Sequence, residues 1–74
     1  MKPETAATLI EQEFERATSM HLPLNTYHEA EAVIEEEFLE LRTEVFRKDG
    51  DKDRVRAKAV QLAVMCLRLL VDLL

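Results

Sequence analysis

The sequence contains few of the residues that make tight turns. It has 1 glycine and 2 prolines among 74 residues, and it has no tryptophan. A glycine-rich loop that cradles phosphate groups needs several glycines, so this chain cannot contain one. Scarce glycine and proline, with 47% apolar and 34% charged residues, indicate an all-α fold rather than a sheet-rich or disordered chain.

Cysteine occurs once, as Cys66, and so cannot form an internal disulfide. This usage suits the reducing cytoplasm. Because Cys66 lies in an apolar run, we expect it to be buried and unreactive. The run from 59 to 74 is interrupted by Gln61, Arg68 and Asp72 and is too short for a membrane-spanning helix. We therefore expect a soluble, cytoplasmic protein.

Basic residues are outnumbered by acidic ones, 10 against 15, and the net charge is -5. Nucleic acids and anionic membrane surfaces both attract proteins that carry a basic patch and a positive charge balance. The charge balance therefore argues against a nucleic-acid partner and against a membrane partner.

Start and stop signals predict a single domain, residues 1–74, with three helices. The helices are expected at about residues 3–20, 26–48 and 52–72. Between the first two, Pro23 interrupts the helical pattern.

Particular residues set the expected helix ends. Thr26 and Glu29 have the spacing of a capping box, which predicts the start of the second helix. That helix should end at Asp49–Gly50, because glycine readily adopts the left-handed conformation. Asp51 is then expected to cap the third helix.

The third predicted helix is apolar over most of its circumference. Its polar strip consists of Arg54, Lys58, Gln61, Arg68 and Asp72. Two short helices of the same chain can cover only part of such a helix, so we expect a homodimer or a higher homo-oligomer, an oligomeric helical bundle with this helix at its centre. The second helix also carries an apolar face that must be covered: Tyr27, Ala30, Ile34, Phe38, Leu41 and Val45.

A ladder of glutamates runs beside that apolar face. Glu37, Glu40 and Glu44 recur at helical spacing, so their carboxylates lie close together. Crowded carboxylates repel one another and require solvent, a proton, a basic side chain or a divalent metal. The pattern itself leaves these four solutions open.

The segments LPLNT (residues 22–26) and HEAEAVIEEEFLELRTEV (residues 28–45) resemble the MazG-type all-α nucleoside triphosphate pyrophosphohydrolases. That family is marked by the motif EExxE on one helix and ExxD on the next. The first motif is present as Glu36, Glu37 and Glu40, with Glu44 one turn further on. The resemblance extends over residues 22–70, including the helix with the sequence QLAVMCLR.

The resemblance implies a MazG-like bundle that holds Mg2+ and hydrolyses a nucleoside triphosphate to the monophosphate and pyrophosphate. It assigns Glu37 and Glu40 as metal ligands. Glu36 and Glu44 take catalytic roles, assisting coordination or activating water. Mg2+ is a hard cation that prefers oxygen ligands, which accounts for the carboxylates.

The chain departs from the family pattern in the second motif, where Lys58 and Gln61 occupy the positions of the glutamate and the aspartate. Lys58 is expected to act as a counter-ion that replaces the metal, and Gln61 can still offer a neutral oxygen ligand. Two functions are therefore compatible with the sequence. One is a metal-dependent pyrophosphohydrolase; the other is a non-catalytic helical oligomer that binds a nucleotide or a protein. A structural bundle with a solvated glutamate face is a third reading.

Overall fold

The computed structural model describes residues 1–74, and they form three α-helices and no strands. The helices are α1 (Pro3–Met20), α2 (Tyr27–Val45) and α3 (Lys52–Leu73). The predicted all-α class and the three helices are thereby confirmed. No helix has an apolar stretch of the length that a bilayer crossing requires.

Side-chain caps determine where α2 and α3 begin. The Thr26 hydroxyl accepts a hydrogen bond from the backbone N–H of Glu29 at 3.0 Å. The Asp51 carboxylate accepts from the N–H groups of Asp53 and Arg54. Each cap satisfies backbone donors that have no partner in the first turn of a helix. The predicted caps at Thr26 and Asp51 are confirmed, but the capping box is only half formed, because the Glu29 carboxylate accepts no hydrogen bond from the Thr26 N–H.

The predicted end of α2 at Lys48 was wrong, because the helix ends at Val45. Phe46 already has φ -92° and ψ 4°, outside helical geometry. Its side chain is 76% exposed, so a further helical turn would gain no packing, which supplies most helix stability in proteins. Gly50 does adopt a positive φ of 59°, but it lies in the turn before α3.

Helix α3 is the central element of the fold. It packs against both α1 and α2, whereas the backbones of α1 and α2 do not approach one another. Along α3, Arg54 contacts Glu44 and Lys58 contacts Glu40. The earlier residue of α3 contacts the later residue of α2, and the later residue of α3 contacts the earlier one. These two helices are therefore antiparallel.

The buried interior of the chain is small. Only 7 of 74 residues are buried. The main cluster consists of Leu24, Ala30 and Met65, and the half-buried Val33, Ile34, Leu69 and Leu73 pack against it. A core of this size leaves much of the apolar surface without cover from the chain itself.

The apolar face of α2 is covered along only one edge. Ala30 is fully buried, and Ile34 is half-buried. On the other edge, Tyr27 is 60% exposed, Phe38 49% and Val45 53%. The chain therefore covers this face only along the edge of Ala30, which packs against Leu24 of the connector and Met65 of α3.

An apolar groove runs between α2 and α3. It has a volume of about 540 Å³, and its apolar lining is Tyr27, Ile34, Phe38, Leu62, Cys66 and Leu69. Cys66 is exposed in this groove. The expectation that Cys66 is buried was wrong, because this side of α3 faces the groove, which no part of the chain covers.

The connector between α1 and α2 is fastened to α3 by a buried polar pair. Arg68, only 5% exposed, donates a hydrogen bond to the backbone carbonyl of Leu22. Asp72 accepts from the backbone N–H of Leu24 at 2.9 Å, and its carboxylate lies 3.7 Å from Nε of Arg68. The sequence placed Arg68 on the polar strip of the third helix. In the structure it binds the connector between α1 and α2 through the Leu22 carbonyl.

Candidate functional site

The antiparallel packing of α2 and α3 brings together the two helices that carry the motif positions. Nζ of Lys58 lies 3.3 Å from Oε2 of Glu40 and 3.4 Å from Oε1 of Gln61. Lysine is a compact point charge, so one ammonium can bind both oxygens. The contact expected between Lys58 and the glutamate ladder is present, and its partner is Glu40.

Glu37 lies one turn before Glu40 and is half-buried. Its Oε2 atom is buried and has no hydrogen-bond partner. Burial, and next the neighbouring charge of Glu40, raise the pKa of Glu37, while the charge of Lys58 acts in the opposite direction. Glu37 is therefore the carboxyl group of this cluster that most readily takes a proton.

Replacing Glu37 with glutamine should stabilise the fold at neutral pH. Folding raises the pKa of Glu37, so its stabilising contribution is complete below the unfolded-state pKa and is lost as the pH rises through the folded-state pKa. Glutamine keeps the shape and removes the charge. We expect the melting temperature of Glu37→Gln to exceed that of the parent by a few degrees at pH 7, and the difference to shrink as the pH approaches 4.

The control for this prediction is Glu36→Gln, made at the exposed neighbouring position. It changes the net charge equally but removes no buried carboxylate, so its melting temperature should stay close to that of the parent. Equal effects of the two substitutions across this pH range would show that burial of Glu37 is unimportant. Thermal unfolding followed by circular dichroism measures both.

Glu44, at the end of α2, belongs to a separate ion pair. Nε and Nη2 of Arg54 each donate to a different Glu44 oxygen, both at 2.8 Å. Glu44 is 6% exposed, and this hydrogen-bonded guanidinium lowers the pKa of its carboxyl group. The stabilising effect of the charged Glu44 is present above its unfolded-state pKa and is lost as the pH falls through the lower, folded-state pKa. Glu44 is thus held by a cation of its own.

Glu36, the remaining residue of the first motif, is exposed on the surface of α2. It forms no ion pair with Lys58 or Arg54. Its charge reaches the cluster only as a minor contribution to the raised pKa of Glu37. Of the four glutamates, Glu37 and Glu40 thus lie at the contact with Lys58, whereas Glu36 and Glu44 lie outside it.

The residues at this contact do not fit a Mg2+ ion as they stand. A magnesium site needs oxygen ligands placed around one point in nearly ideal geometry. The point between Glu40 and Gln61 is taken by the ammonium of Lys58, and Glu44 is bound to Arg54. No three His, Cys, Asp or Glu side chains are arranged to hold a metal ion.

Helix α1 also reaches the site, which sequence reasoning did not anticipate. A cavity of about 200 Å³ beside Glu37 and Gln61 is lined in part by Arg16 and His21. Arg16 forms an ion pair with Glu13, one turn earlier. The only signal in the sequence was the i,i+3 spacing of Glu13 and Arg16, which surface-exposed pairs share.

Comparison with known proteins adds no assignment. No protein-family model, curated protein or solved structure gives a significant match to this chain.

Proposed function

We propose that this chain is a non-catalytic, MazG-like helical module that acts by associating with protein. The proposal rests first on Lys58, whose Nζ lies 3.3 Å from Glu40 and occupies the place between the two motif helices. An ammonium there neutralises the carboxylates without a metal, and it repels any divalent cation. On this proposal, the chain shares the helical arrangement of the family but neither binds Mg2+ nor hydrolyses a nucleoside triphosphate.

Protein association is supported by the amount of apolar surface that the chain exposes. Seven residues are buried, whereas eleven large apolar side chains are exposed. The groove between α2 and α3 gathers part of this apolar surface into one contiguous patch, and such patches commonly mark sites of protein–protein contact. A scaffold with a small core and an open apolar groove is well suited to binding another helical surface.

The parent protein should be insensitive to divalent metal. A site with a Kd of about 0.1 mM would stabilise the fold by about 2.7 kcal/mol at about 10 mM metal. For a domain of this size that is a rise of roughly 10–20 °C in the melting temperature. We expect no such rise with Mg2+ or Mn2+ when ionic strength is matched with NaCl, and no pyrophosphate release from a panel of nucleoside triphosphates.

The second candidate function is the metal-dependent pyrophosphohydrolase. It is favoured by the proximity of Gln61 and Glu40, both of which offer oxygen atoms at the contact between the motif helices. A clear thermal shift with Mg2+, together with turnover of a nucleoside triphosphate, would establish this function and overturn our proposal. Thermal stabilisation by a nucleoside triphosphate without turnover would instead indicate a nucleotide-binding module.

A further inference from the structure

The folded chain exposes more surface than a compact monomer of its mass. Its accessible surface is 5557 Å² for 8.6 kDa. The usual scaling of surface with mass gives about 4,700 Å² for a monomer of this mass, so the excess is about 860 Å². A standard protein–protein interface buries about 800 Å² of each partner. The excess therefore matches the area that one further subunit would cover.

Apolar residues along the exposed edge of α2 are placed symmetrically about the middle of the helix. Tyr27 and Val45 are equally distant from Glu36 along the chain, and so are Ile34 and Phe38. Tyr27, Phe38 and Val45 lie on this exposed edge, and the half-buried Ile34 borders it where it lines the groove. When such a helix meets an antiparallel copy of itself about an axis at the level of Glu36, Tyr27 meets Val45 of the copy and Ile34 meets its Phe38.

Three charges beside this edge, Glu31, Glu35 and Arg42, have no ion-pair partner within the chain. Glu31 and Arg42 form none of the salt bridges seen in the fold; Arg42 only approaches the ring of Phe46, at 6.0 Å. Glu31 and Arg42 lie on the same side of α2 but about 16 Å apart along its axis, which is too far for an ion pair. An antiparallel copy centred between Glu36 and Glu37 would place Glu31 of each chain opposite Arg42 of the other, and it would bring Glu35 near Glu35 of the copy at the rim of the contact.

We propose that α2 docks antiparallel onto α2 of a second copy of this chain, with Glu31 of each copy opposite Arg42 of the other. Tyr27 then faces Val45 of the second copy, and Ile34 faces its Phe38. This inference rests on the proposed association function and names its partner. The groove residues of α3, among them Leu62 and Leu69, lie beside this contact and complete a four-helix bundle with their own copies.

The test is the oligomeric state of the full chain and three charge variants. Light scattering coupled to size exclusion, and sedimentation over a concentration series, give the mass and the dimer Kd. The parent should be a dimer. Glu31→Arg and Arg42→Glu should each weaken dimerisation at least tenfold, because each places two like charges opposite one another. The variant with both substitutions should recover a Kd within about threefold of the parent, because the opposite charges are restored in exchanged positions.

The matched control is Glu15→Arg, an exposed charge reversal on α1 that should leave the dimer Kd unchanged. Circular dichroism of each variant establishes that it is folded. A monomeric parent would overturn the inference, and so would a dimer that the single reversals do not weaken or that the double reversal does not restore. Neither result alters the metal and turnover experiments, so failure of this inference is distinguishable from failure of the non-catalytic proposal. Capture of a different protein by a monomeric chain would likewise overturn the inference, because the partner would not be a second copy.

Discussion

Replacing Arg68 with methionine is expected to destabilise the fold by about 3 kcal/mol, the cost of removing one partner from a buried ion pair. The substitution keeps an unbranched side chain of similar length but removes the donor for the Leu22 carbonyl. It also leaves the Asp72 carboxylate, 11% exposed, without its nearest cation. A chain of this length has a total stability of roughly 4–11 kcal/mol, so the loss is a large part of it. Thermal unfolding should show a fall of at least about 10 °C.

The control for Arg68→Met is Arg56→Met on the same helix. Arg56 also pairs with an aspartate, Asp53, but both side chains are exposed, so the expected loss is below about 0.5 kcal/mol. A second variant, Arg68→Met with Asp72→Asn, keeps an acceptor for the Leu24 N–H and removes the isolated charge. It should be more stable than Arg68→Met alone. Equal losses at positions 56 and 68 would show that the connector is not held by Arg68.

The expected role of Arg68 illustrates what the sequence could not determine. Spacing placed Arg68 on the same polar strip as Lys58, the residue that was expected to neutralise the glutamates. Which backbone groups a buried arginine meets depends on where the α1–α2 connector crosses α3, and local patterns do not encode that crossing. The i,i+4 pair of Arg68 and Asp72 within an apolar helix was a signal that polar backbone groups would meet this part of α3.

Features set by neighbouring residues were predicted well. The caps at Thr26 and Asp51 each depend on a few consecutive residues, and both are present. The end of α2 was not predicted correctly, because it depends on whether another part of the chain covers Phe46. The exposure of Cys66 was missed for the same reason, since an apolar run shows that a helix needs cover and does not show which side receives it.

At the candidate site, a contact between Lys58 and the glutamates was expected from the resemblance, which places Lys58 at an acidic motif position, and the structure shows that its partner is Glu40. The sequence did not show which basic residue each glutamate contacts. Glu44 pairs with Arg54, Glu40 contacts Lys58, and Oε2 of Glu37 has no partner. The choice of partner for each glutamate depends on how deeply the side chain is buried and how far it reaches across the contact between α2 and α3. Residue spacing does not determine either quantity.

Replacing Lys58 with glutamate and Gln61 with aspartate is expected to convert a metal-indifferent chain into one whose stability depends on Mg2+. Without metal, the two new carboxylates join Glu37 and Glu40 at one contact, and mutual repulsion should lower the melting temperature below that of the parent. With about 10 mM Mg2+ and a site of about 0.1 mM Kd, about 2.7 kcal/mol should be recovered. Thermal unfolding with and without Mg2+, at matched ionic strength, measures both effects.

The control that separates the lost lysine from the gained carboxylates is Lys58→Met, which removes the ammonium and adds no ligand. It should be less stable than the parent and gain little from Mg2+, because only Glu37, Glu40 and the neutral Gln61 remain. A double variant that unfolds equally with and without metal would mean that positions 58 and 61 do not share a common point with Glu37 and Glu40. In that case the resemblance to the pyrophosphohydrolases would lose its basis in the second motif, because restoring both acids would not restore the site that they serve.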